Sequence, residues 1–124
     1  MENATIEILG KVRKDAPLVH NITNFVAMNT SANILLSVGA SPVMAHSADE
    51  VGEMAAMAGA LVLNIGTLDQ CWLDAMICAA RAANEKGIPA VLDPVGAGAT
   101  QFRSHAVEKI MSACRISVVR GNVS

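Results

Sequence analysis

Tyrosine is absent from these 124 residues, and the aromatic complement is two phenylalanines and one tryptophan. Single-stranded nucleic-acid binders stack bases on aromatic platforms, so that class is excluded. Nine Lys and Arg against eleven Asp and Glu leave a net charge of -2. The basic residues form no cluster, and the electrostatic footprint of a duplex binder is missing as well. The opening Met1-Glu-Asn-Ala-Thr-Ile-Glu7 lacks the basic region of a secretory leader. The longest apolar stretch, Met54 to Leu63, carries Gly59 and is too short to span a bilayer. These absences predict a cytoplasmic protein.

Three cysteines, Cys71, Cys78 and Cys114, include no C-x-x-C pair and leave an odd one over. That pattern predicts reduced thiols buried as small hydrophobes, with Cys71 and Cys78 on one helix face; a metal site would want histidine or a further cysteine at ligand spacing. What the sequence has in quantity is apolar residues, 52% against 16% charged. A chain of this length is one domain that buries roughly 65% of its unfolded surface. Such a composition suits elements covered on both faces.

Helical and strand patterns alternate along the whole length. A helix over about Thr5 to Lys14 precedes a strand at Leu18 to Ile22. A second helix is expected over Asn24 to Leu36, with Phe25, Met28, Ala32 and Leu35 on one stripe and Gly39 as its stop. After a strand at Pro42 to Ala45, Ser47 and Glu50 have the spacing of a capping box opening a short helix to Met57. Ala60 to Ile65 is the clearest buried strand, apolar on both parities. Thr67 or Asp69 opens the longest helix, closed by Gly87 and Pro89; a strand at Pro89 to Leu92, a helix at Gln101 to Ala113 and a strand at Arg115 to Val119 follow. Five strands separated by helices predict an α/β fold, a parallel sheet with helices on both faces. Strand order is open at this point. The methionines at 28, 54, 57, 76 and 111 fall at helical core spacing, and Trp72 faces an alanine-rich helix as a core residue.

Ligands of open parallel sheets sit beyond the carboxyl ends of the strands. Those ends carry, in order, His20, Asn21, Thr23 and Asn24; Met44 and His46; Asn64, Gly66 and Thr67; Asp93, Gly96 and Gly98; Arg120 and Asn122. Loops favour such residues for turn and capping reasons alone. Five successive ends of this kind nevertheless mark a candidate site. One carboxylate, Asp93, and one guanidinium, Arg120, suit a metal-bound polyphosphate: the acid holds Mg²⁺ and the arginine forks onto phosphate oxygens. Gly96-Ala97-Gly98 would let backbone N–H groups approach an anion, but no Lys-Ser/Thr follows, so it is not a P-loop. Gln101 also stands where a dinucleotide fingerprint needs its third glycine. His20 is open between a ligand contact and a turn-bonding role; His46 and His105 read as loop and surface residues.

The strings PLVHNITNFVAMNTSANILLSVGASPVMAHS, LVLNIGTL, IPAVLDPVGAGAT and VVRGNVS, in this order, resemble the hydroxyethylthiazole kinase family. The resemblance implies a ribokinase-like fold and Mg²⁺-assisted transfer of the ATP γ-phosphoryl group to the hydroxyl of 4-methyl-5-(2-hydroxyethyl)thiazole, a salvage step of thiamine biosynthesis. Position by position it makes Met44 a thiazole contact, Arg120 an ATP contact and Asp93 part of the Mg²⁺ and phosphate region. It also implies homotrimers with sites between subunits, which would bring Asn24 and its neighbours to an adjoining chain's ligand. Family members are about twice as long. Residues 1–124 correspond to the N-terminal half of one kinase domain, without the segment expected to activate the substrate hydroxyl, and so are expected to be inactive alone. Two other readings stand beside this one. A different ribokinase-like kinase or nucleotide-dependent dehydratase would share the Asp-Pro-Val-Gly loop but not HNITNFVAMN. A non-catalytic binding or assembly module would hold the thiazole without ATP chemistry.

Overall fold

Helices and strands alternate strictly along residues 1–122, the part of the chain that the computed structural model describes. The order is α1 (Glu2–Asp15), β1 (Leu18–Ile22), α2 (Met28–Val38), β2 (Ser41–Met44), α3 (Val51–Met57), β3 (Ala60–Asn64), α4 (Gln70–Glu85), β4 (Ala90–Asp93), α5 (Gln101–Ala113) and β5 (Val118–Val119). The strands form one sheet in the order β2-β1-β3-β4-β5, every pair parallel. The expected class therefore holds, and the order left open by the sequence is now fixed. With right-handed crossovers, the reversal at β1–β2 puts α2 on one face and α3, α4 and α5 on the other. The packing agrees: α3 and α5 lie against α4, and α1 lies against α2.

Register shows how the two faces divide. Ile22, Leu63 and Leu92 form one row across the sheet, Leu61 and Ala90 another, and all five are buried. They meet Val51 and Ala55 of α3, Leu73, Met76, Ala79, Ala80 and Ala83 of α4, and Ala106 and Ile110 of α5 in one core. The alanines of α4 let that helix lie close on the strands, which the β-branched and leucine side chains then fill. Residues of the other parity, Val62 and Val91, are half-buried. That face is the more open of the two.

Several local expectations are corrected. Helix α2 begins at Met28, not Asn24, because the Asn24 side chain accepts from the Ala27 amide at 2.7 Å and makes a turn of residues 24–27. Phe25 is consequently 66% exposed and leaves the predicted stripe. No capping box forms: Ser47 Oγ accepts from the Asp49 amide at 3.3 Å, and α3 starts after Glu50 with no side-chain cap. Strand β5 is only Val118–Val119, since Asn84 holds both the Arg115 amide and its carbonyl, at 2.7 and 3.0 Å, and keeps residue 115 off the ladder. Cys114 is buried as expected, but Cys71 and Cys78 are exposed on the outer side of α4. Met76 is buried, whereas Met57 and Met111 lie on solvent-facing turns at 66% and 47% exposure. The longest helix does open at Asp69, whose carboxylate accepts from the Trp72 amide at 2.8 Å.

Candidate functional site

The parity that carries Val62 and Val91 ends, at the carboxyl rim of the sheet, in Asn64 and Asp93, which are register partners. Their side chains meet: Asn64 Nδ2 donates to Asp93 Oδ2 at 3.1 Å. From the next strand end, Arg120 Nη1 donates to the same Oδ2 at 3.0 Å. On the other side, Asn24 Nδ2 donates to Asn64 Oδ1 at 2.8 Å, and the Gly66 amide donates to that oxygen at 2.9 Å. The result is a continuous polar line, Asn24, Asn64, Asp93, Arg120, running across four neighbouring positions of the rim. Because Gly66 N–H can only donate, the orientation of the Asn64 amide is fixed: oxygen toward Gly66 and Asn24, nitrogen toward Asp93.

Burial grades along this line. Asn24 and Asn64 are buried, the Asp93 side chain is 17% exposed, and that of Arg120 is 74% exposed. An ion pair so open at one end is worth little to stability, at most about 1 kcal/mol. It is better suited to exchange partners. Among the described residues, Asp93 Oδ1 accepts no hydrogen bond, leaving one carboxylate oxygen for a cation or its water. Mg²⁺ keeps several waters and takes one or two carboxylates plus substrate phosphate, so a single free carboxylate oxygen at an open rim fits that ion. No group of three or more His, Cys, Asp and Glu that would cage a metal occurs among the described residues.

Of the residues singled out in the sequence, Asn24, Asp93 and Arg120 are brought together. Met44 is not part of the line. It ends β2, in register with Asn21 of β1, and shares the rim and the sheet face with Asp93 but lies three strands away, roughly 14 Å at the usual strand spacing. Both polar atoms of Asn24 are used within the chain, while its neighbours Phe25 and Val26 are 66% and 87% exposed. Asn122 is exposed beyond β5.

His20 is neither a turn-capping residue nor a rim group. It is fully buried, with Nε2 bonded to the Ala45 carbonyl at 2.7 Å and Nδ1 without a partner. Desolvation holds its pKa below the ordinary histidine value, against smaller upward pulls from the Ala45 bond and the Glu50 charge. His46 does more than occupy a loop: it stacks on Trp72 at 4.5 Å, and Phe25 leans on the same indole at 5.1 Å. His105 is exposed, as expected.

The glycine loop is closed, not open. Ala97 N donates to Pro94 O, Gly98 N to Ser104 Oγ and Ala99 N to Gly96 O, each at 3.0 Å. The amides of Ala97 and Ala99 close successive turns and that of Gly98 is taken by the Ser104 side chain of α5, with Gly96 at φ 72° and Gly98 at φ 89°. The loop shapes the chain around Asp93 more than it presents donors to an anion. A groove of about 680 Å³ lies between α4 and α5 and is lined by Asp74, Cys78, Arg81, Glu85 and Lys109, away from the strand ends. Its mixed charges do not converge, whereas those of the rim do.

Two rim features escaped the sequence reading. Asn64 appeared there only as one strand-end residue among many, although it is the hub. Arg103 drew no attention at all, yet its guanidinium binds three backbone carbonyls beside the site, at Ile65, Gly66 and Val95. Its position three residues after the Thr100 cap was the available signal, since that places it in the first turn of α5 against the rim loops.

A hydroxyethylthiazole kinase family model matches residues 9–124. The chain belongs to that family. The hydroxyethylthiazole kinase of Desulfosudis oleivorans is 60% identical over 120 residues, 97% of this chain and 44% of that protein. That of Desulforudis audaxviator is 57% identical over 114 residues, 92% and 42%. A solved hydroxyethylthiazole kinase structure from Pyrococcus horikoshii superposes with a TM-score of 0.91 at 57% identity, covering 95% of this chain and 46% of that one. The chain thus spans under half the length of the hydroxyethylthiazole kinases it matches.

Proposed function

We propose that the protein built on this chain transfers the γ-phosphoryl group of ATP to the hydroxyl of 4-methyl-5-(2-hydroxyethyl)thiazole, in thiamine salvage. The observation that carries the reading is the line from Asn24 to Arg120, which puts one carboxylate and one exposed guanidinium on the strand-end rim of a hydroxyethylthiazole kinase fold. Phosphoryl transfer asks for positioning and charge stabilisation and needs little covalent chemistry from the protein.

In this reading Asp93 is the catalytic carboxylate, and its free oxygen would hold Mg²⁺. The ion, when bound, screens the negative charge of the nucleotide phosphates. Arg120 leaves Asp93 and forks onto phosphate oxygens, which its exposed side chain permits. Asn64, anchored through Asn24, keeps Asp93 from turning away as that partner leaves. Met44, with its soft thioether, forms one wall for the thiazole ring. In this reading the small alcohol lies across the ends of β1 and β3, between Met44 and Asp93. We further propose a homotrimeric, cytoplasmic protein, in which the exposed Phe25 and Val26 beside Asn24 face the neighbouring subunit. None of the helices of the described residues is long and apolar enough to cross a membrane.

Residues 1–124 on their own are expected to give no turnover, because in this reading Asp93 is committed to the cation and the family resemblance assigns activation of the substrate hydroxyl to a segment that these residues do not include. Transfer of radiolabelled phosphate from ATP to the thiazole alcohol tests both statements. The chain joined to the remaining length its relatives possess should be active, and the 124-residue chain should not. Turnover by the short chain near that of a full-length relative overturns the second statement, and no transfer by the long one overturns the first. Calorimetry separates the remaining possibility of a non-catalytic module, which gives heat with the thiazole and none with Mg-ATP.

A further inference from the structure

We propose that Arg103 is a positioning residue for the rim, fixing the loops after β3 and β4 at the spacing that keeps Asn64 bonded to Asp93; the proposal rests on the phosphoryl-transfer reading above. The β3–β4 ladder ends at the Asn64–Asp93 pair. Beyond it the two chains part, one toward α4 and the other toward α5. Arg103 spans that fork. Its Nη1 donates to Val95 O at 2.7 Å and to Ile65 O at 3.1 Å, and its Nη2 donates to Gly66 O at 2.8 Å.

All three acceptors are backbone carbonyls, two in the residues directly after Asn64 and one two residues after Asp93. Among the described residues no carboxylate pairs with this guanidinium. A cation in the first turn of a helix is opposed by the helix dipole, so its placement here needs the compensation those carbonyls give. The surroundings are shaped to it. Gly96 stands at φ 72°, and a Cβ there would lie 3.1 Å from Arg103 Cδ and Nη1. Gly66 has no Cβ either, where one would meet the Asn24 side chain at 2.7 Å. Two glycines thus make room for the two side chains that lock the fork. A planar head with two donor nitrogens joins three carbonyls of the two loops at once; the single nitrogen of a lysine ammonium does not reproduce that fork.

The test compares wild type with Arg103→Lys and Arg103→Met. In the 124-residue chain, exchange of the Gly66 amide reports whether Asn64 holds its place, since that amide donates to Asn64 Oδ1. Both variants should exchange there about tenfold faster while exchange in the β1–β3 ladder stays near wild type. In the chain carried to the length of its relatives, kcat should fall by about 10 to 100-fold with KM for the thiazole alcohol within about twofold. Free guanidinium ion should restore part of the rate to Arg103→Ala. Unchanged Gly66 exchange overturns the proposal, and so does faster exchange with unchanged kcat. If Asp93→Asn abolishes transfer while Arg103→Lys matches wild type in both measurements, the function stands and the role of Arg103 falls. If wild type transfers no phosphate, the function fails and Gly66 exchange still decides whether Arg103 holds the fork. Should Arg103→Met fold poorly, Arg103→Lys carries the same comparisons.

Discussion

At His20 the chain buries an imidazole whose Nε2–H is bound to the Ala45 carbonyl and whose Nδ1 has no partner. Protonation would add a buried charge with a donor that has nothing to meet, and the lowered pKa expresses that cost. The sign follows directly. The unfolded chain takes up a proton near the ordinary value of about 6.5 while the folded chain resists, so this stability is complete above that pH and is lost as pH falls below it, by at most about 1.4 kcal/mol per pH unit. Urea unfolding at pH 7.5 and 5.5 should show the slope in wild type and a smaller one in His20→Gln; equal slopes would remove His20 as the cause. At the rim, Asp93→Asn in the full-length context should lower kcat by on the order of 10² to 10³, as for the loss of one preorganised electrostatic group. Met44→Ala should mainly raise KM. Steady-state kinetics of the two variants check the assignment, and an inverted pattern exchanges the roles.

Among the elements, the best-read were those with long, undivided patterns. β3 and α4 sit where their composition put them, and the Asp69 cap should be worth about 1 kcal/mol to α4, measurable as the loss in Asp69→Ala by denaturant unfolding. Short elements were misread wherever a side chain took a backbone partner from the regular pattern. Asn24 captured the Ala27 amide and delayed α2, Ser47 captured that of Asp49 and displaced the start of α3, and Asn84 captured Arg115 and shortened β5. The first two are local bonds that compete with the helix on nearly equal terms, and the third joins residues 31 apart, so composition alone ranks none of them. The rim was half legible for a related reason. Asp93 and Arg120 stand out as the charged residues of their strand ends, whereas Asn64 and Arg103 act in large part through partners 29 to 40 residues away in the chain, beside nearer ones at Gly66 and Val95. No spacing rule connects such positions until the strand order is known.

For the molecule as a whole, the energy lies on one side of the sheet. Leu63 sits fully buried in the central strand, beneath α4, and Leu63→Ala should cost about 2 to 5 kcal/mol, a large part of a small domain's total. Chemical denaturation checks it; a loss under 1 kcal/mol would mean that the core is not where the packing puts it. The opposite face contributes less to holding the fold and carries the parity from which the rim line emerges. Strand order also bears on how a ribosome could release this sequence. Once β3 has docked beside β1, each later strand joins the outside of the one before it, and the four rim residues leave the exit tunnel in the same sequence in which they touch. The polar line is therefore laid down vectorially, one link per newly emerged strand, with no finished pairing that must reopen to admit a latecomer.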